Sequence, residues 1–159
     1  MALDARGAEI GRDDEQSFWA RCGPLALVVT RQPPTAESMN AFREFLHELA
    51  ADHPNAIYLL VALGARRPRL EEEVRQAIAS LWRELGEAVN VAVWVRRGSF
   101  AGALQRSFIT AVSMLRIRDT PTKVVTSPDG AFDWFLSLDV GLAEHAGTWR
   151  ELVEQGLSG

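Results

Sequence analysis

Apolar residues along this chain fall into two kinds of run. Some are short and nearly continuous, and some recur every three or four positions. AIYLLVAL (56–63) and VAVWV (91–95) are of the first kind, as expected for strands covered on both faces. SFWARC (17–22) and LALVVTRQ (25–32) flank Gly23-Pro24, a turn signal, and predict a hairpin. Pro33-Pro34 ends the second arm, because proline gives no N–H to a ladder. Thr35 then stands as an N-cap before Met39, Phe42, Leu46 and Leu49, whose spacing draws one helical face. That helix is expected to stop near His53-Pro54.

A second helix follows the 56–63 strand, with Leu70, Val74, Ala77, Ile78, Leu81, Leu85 and Ala88 as its inner face and Gly86 near its end. Segment 100–116 predicts a third. VVT (124–126) reads as a short strand, and Ser127-Pro128 as the start of a fourth helix, with serine as cap and proline in the first helical position. Residues 140–156 add a last helix, with Trp149, Leu152 and Val153 turned inward. Strands alternating with helices predict an α/β fold. The expected form is a single domain with an N-terminal β-hairpin and a mixed, mostly parallel sheet of about five strands with four to five helices. Residues 1–16 read as a mobile polar tail, 17–157 as the domain, and 137–157 as a C-terminal helical extension.

Composition narrows the class. The chain has 159 residues, a net charge of −4 and an ordinary balance of apolar and charged residues. The acidic excess argues against nucleic acid as a partner. No apolar stretch has membrane length, so no membrane insertion is expected, and the N-terminal residues lack a signal-peptide apolar region. Cys22 is the single cysteine, so no intrachain disulfide forms and a reducing, cytoplasmic setting fits.

Candidate chemistry is sparse. His47, His53 and His145 are dispersed without metal-ligand spacing. The GxSxG elbow, the GxGxxG fingerprint and the phosphate-cradling P-loop are missing from the sequence. No catalytic residue, metal or cofactor is therefore assigned. The stretch GARRPRLEEE (64–73) stands out, because Arg66, Arg67 and Arg69 precede a helix start, where acids are normally preferred. Glu71, Glu72 and Glu73 neutralise them locally in the plainer reading. In the sharper one, arginines and free helix N–H groups hold a carboxylate or phosphate. On segment 100–116, Leu104, Phe108, Ala111, Val112 and Leu115 form a core side, and Arg106, Thr110 and Ser113 a narrow polar strip. Phe100, Ile109 and Met114 widen its apolar arc beyond what a surface helix needs, so either residues 140–156 or a second subunit must cover it.

The hairpin LALVVTRQPPT, the strand AIYLLVAL, the strand VAVWV entering SFAGALQRSFITAVSML, and the closing KVVTSPDGAFDWFLSL together resemble the STAS family, in its bacterial SpoIIAA-like (STAS/SEC14) group. The likeness spans roughly residues 17–137 and rests on pattern. It implies a small, non-catalytic regulatory domain that acts by protein–protein contact. In that family a serine or threonine after the strand matching AIYLLVAL is phosphorylated. Residues 64–69 contain no hydroxyl side chain, so the resemblance does not carry that switch to this chain. Contact is expected through Arg66, Arg67 and Arg69 and through Arg106, Thr110 and Ser113, with a protein partner or a second copy of the chain. The rival expectation is a carrier or sensor of a small anionic nucleotide, lipid or metabolite.

Overall fold

The computed structural model describes residues 7–63, 71–96 and 120–159. Its strands are β1 (Ala8–Asp13), β2 (Ser17–Cys22), β3 (Leu25–Thr30), β4 (Ile57–Leu63), β5 (Val89–Val95) and β6 (Thr122–Val125). Its α-helices are α1 (Ala36–Asp52), α2 (Glu72–Leu85), α3 (Pro128–Leu138) and α4 (Ala146–Ser158). The strands form one six-stranded sheet whose spatial order is the chain order. β1, β2 and β3 are antiparallel neighbours, and β3 to β6 run parallel. The α/β class and the mostly parallel sheet match the expectation.

The order of the strands decides where the helices go. Each parallel crossover moves the chain one place in the same direction. Crossovers of one hand that step the same way put their helices on one face of the sheet. Accordingly α1 and α2 lie side by side and pack with Trp19, Ala26, Val28, Ile57, Leu59, Val89, Val91 and Val93. The side chains between these point the other way, since strand residues alternate. That opposite layer contains Phe18, Ala20, Cys22, Leu25, Leu27, Val29, Tyr58, Leu60, Ala62 and Ala92. It is closed by α3 over β4 to β6 and by α4 over β1 to β3.

Local signals explain the element ends. Thr35 Oγ1 accepts from Ser38 N and Ser38 Oγ from Thr35 N, so both exposed donors are met at the start of α1. Ser127 Oγ accepts from Gly130 N, with Pro128 in the first turn of α3. The β2–β3 hairpin turns at Gly23, whose φ of 52° lies in the left-handed region that favours glycine. Trp149, Leu152 and Val153 are buried as expected.

Two expectations are corrected. Residues 8–13, read as part of a mobile tail, form the sheet's outermost strand. Asp14 closes the turn to β2, its Oδ1 accepting from Gln16 N at 2.8 Å and Ser17 N at 3.0 Å. These backbone bonds, Ser17's first, with Arg12 alongside, hold the Asp14 carboxyl below its ordinary range. Glu9 faces Arg21 across the pair, and Arg21 reaches on to Asp52 at the end of α1. The last helix is also shorter than 140–156 suggests. Residues 140–145 form a 3-10 turn capped by Asp139 Oδ1 on Gly141 N, and α4 begins at Ala146.

α4 meets the sheet with almost no gap at Gly156. A Cβ built there would lie 2.7 Å from Phe18 Cδ1 and 3.0 Å from Val29 Cγ2, both on fully buried side chains. Arg31 ties the same helix down, donating to Gly156 O, Asp13 Oδ1 and Asp14 O. Gly156→Ala should therefore destabilise by about 1–3 kcal/mol in urea unfolding, as overpacked cores do. Gly147→Ala, where nothing lies within 4 Å, should leave stability unchanged or slightly raised.

Candidate functional site at the carboxyl edge of the sheet

In a sheet of parallel strands joined by helices, loops and helix starts gather outside the carboxyl ends of the strands, and loops on a rigid frame commonly carry recognition residues. Here that edge carries the ends of β3, β4, β5 and β6 and the starts of α1, α2 and α3. β4 lies inside the sheet, between β3 and β5. The arginine-bearing stretch therefore connects the carboxyl end of a central strand, at Leu63, to the start of α2 at Glu72. Arg66, Arg67 and Arg69 themselves lie outside the described residues. So do Arg106, Thr110 and Ser113, in the stretch that joins β5 to β6. The structure thus places the anchors of both candidate segments and does not bring the six side chains together or apart.

The described part of this edge is polar and already internally bonded. Thr30 Oγ1 donates to Ala62 O at 3.4 Å, and the backbone N–H groups of Arg31 and Gln32 both donate to Gln16 O. The Arg31 guanidinium is held by Asp13, Asp14 and Gly156 and lies over the Phe18 ring. Its role is to join the β1–β2 turn, β3 and α4. α1 and α3 begin with side-chain caps, whereas the N-cap of α2, Glu71, makes no side-chain cap bond. Glu72 in the first turn of α2 accepts from Gln76 at 3.3 Å and lies 3.8 Å from Arg75, so its charge is engaged within the helix.

The remaining titratable side chains have structural surroundings. His47 Nε2 lies 2.8 Å from Glu84 Oε2, and Arg43 binds the same carboxylate across the α1–α2 contact. The contact with His47 first, and then that with Arg43, holds Glu84 below its ordinary value against some opposing desolvation. His53 ends α1, its backbone N–H donating to Leu49 O. His145 packs on the Gly23 turn and lies 3.3 Å from Glu144. Among the described residues no three His, Cys, Asp or Glu side chains stand together so as to hold a metal ion. No helix among them is long and apolar enough to cross a membrane. Trp82 and Trp94 are half-buried against the two core layers.

Comparison of the chain with family models, with curated proteins and with solved structures gives no match.

Cys22 is buried in the layer under α3 and α4, and burial pushes its thiol up to about 12. A thiol that stays protonated is a poor nucleophile. A disulfide reagent at pH 8 should leave Cys22 unmodified in the folded protein and react promptly in guanidinium. Rapid reaction without denaturant would contradict this placement.

Proposed function

We propose that the chain is a non-catalytic regulatory module of the SpoIIAA-like STAS kind, acting in the cytoplasm by binding a partner protein through the edge that carries residues 64–69. The observation that supports this most is positional. The arginine stretch leaves the carboxyl end of β4, an inner strand of the parallel part of the sheet, and leads directly into α2. Both anchors of the stretch, Leu63 and Glu72, belong to regular elements, the kind of frame on which recognition residues are commonly carried. Its arginines suit acidic side chains on a partner, through forked hydrogen bonds that lysine cannot make. Arg106, Thr110 and Ser113 would extend the contact, and the apolar flank of their segment suits a second copy of the chain.

A second reading, a carrier or sensor of a small anionic ligand, is favoured by one feature. The N-cap residue of α2, Glu71, makes no side-chain cap bond, and the first turn of a helix offers N–H groups that can donate to an anion. A phosphate or carboxylate there would complete the cap.

A pull-down from the native cell with wild type and with Arg66→Glu/Arg67→Glu separates the readings. The interaction module predicts a partner that is lost in the variant. Unchanged partners would sink it. Native mass spectrometry showing a retained anionic small molecule in wild type alone would select the carrier instead.

A further inference from the structure

At the far end of α3 two aliphatic side chains are exposed near one another in the chain. Leu138 is 50% exposed and Val140 is 83% exposed, two positions apart where the helix gives way to the 3-10 turn. Among the described residues the one other exposed large aliphatic is Val124, at 37%. Trp134 lies one helical turn before Leu138, half-buried against Phe135. The Asp139 cap on Gly141 fixes the turn that holds Val140 outward, and a β-branched side chain has little rotamer freedom to lose on contact.

Among the described residues the exposed charge around this corner is acidic. No lysine or arginine occurs between Lys123 and Arg150, and Asp139 and Glu144 are exposed beside the corner, with Asp133 exposed on α3 five residues before Leu138. Asp133 has no ion-pair partner among the described residues, and Glu144 pairs there with His145. A helix carboxyl end carries partial negative charge and ordinarily takes a basic residue in its last turn, yet α3 has none. Lys123 sits over the Trp134 ring at 6.0 Å. Asp139 also reaches inward electrostatically, adding to the desolvation that raises the Tyr58 hydroxyl.

We propose that the Leu138–Val140 corner is a docking surface for a basic amphipathic segment of a partner protein. Apolar side chains of that segment would cover Leu138 and Val140. Its lysines or arginines would supply the positive charge that the end of α3 and its acidic surround lack. This deepens the reading as an interaction module, but on a separate surface. α3 starts at the carboxyl edge and runs back over the sheet, and its Phe135 meets Tyr58 near the amino end of β4, so the end of α3 lies away from Leu63, where residues 64–70 begin.

The test is a fluorescence-anisotropy titration of the full chain with a labelled helical peptide of leucine and lysine, beside a matched peptide of leucine and glutamate. The leucine–lysine peptide should saturate, and the leucine–glutamate peptide should not bind. Leu138→Ser/Val140→Ser, and separately Asp133→Asn/Glu144→Gln, should each weaken binding by about tenfold, as lost anchors do. All four residues are exposed, so folding should survive, and circular dichroism checks it. Glu37→Gln/Glu48→Gln on α1 should change little. No saturation, or equal weakening by the α1 pair, would overturn the proposal. Light scattering that shows a dimer broken by Val140→Ser would also overturn it, by giving the surface to a second copy. Arg66→Glu/Arg67→Glu should leave peptide binding intact. Failure of the peptide with the pull-down result above still holding would remove this surface alone.

Discussion

Everything in this fold follows from strands that add to the sheet in chain order. Because β3, β4, β5 and β6 are laid down one after another in the same direction, the described crossover helices α1 and α2 share one side. The other side of β4, with Tyr58, Leu60 and Ala62, would otherwise meet water. Leaving such a layer bare forfeits about 25 cal/mol for each Å² of apolar surface. The chain meets that demand with its last part. After β6 it returns across the uncovered face as α3, turns at Asp139 and runs as α4 over β1 to β3. Residues 128–158 therefore enclose one of the two core layers, and of these 137–157 bring α4 over β1 to β3.

That constraint also sorts the surfaces. The carboxyl edge collects strand ends and helix starts, and there the arginine stretch leaves β4. The amino edge receives the end of α3, where apolar and acidic side chains are exposed together. In sequence the first carries Arg66, Arg67 and Arg69 ahead of Glu71, Glu72 and Glu73, and the second exposes Asp139 and Glu144 beside Leu138 and Val140.

What was legible in the sequence follows the same logic. AIYLLVAL could be read because a strand covered on both faces is apolar at nearly every position. α1 could be read because Thr35, Ser38 and the Phe42–Leu46–Leu49 face act together. β1 could not. Its apolar contribution is Ala8 and Ile10 on one side, while Glu9 is used in the pair with Arg21, and Arg12 lies over Trp19. An outer strand stabilised by cross-strand charge looks like a solvated tail. The strand read at 124–126 begins earlier, at Thr122, because the exposed Lys123 hides its start. For the candidate site, sequence reached the residue types and structure reached their anchors at Leu63 and Glu72. The six side chains fall outside the described residues. The Leu138–Val140 corner escaped the sequence reading because an apolar residue near a helix end looks like core until its exposure is known.

The central claim is that α4 belongs to the same cooperative unit as the inner strands. Native-state hydrogen exchange followed residue by residue measures this directly. The amides of Leu152, Val153 and Gly156 should exchange with the free energy of global unfolding, in step with Leu59, Leu60 and Ala92. Exchange of the α4 amides at a much lower free energy, with β4 and β5 still protected, would show an appended helix over an independently stable sheet and would contradict the account.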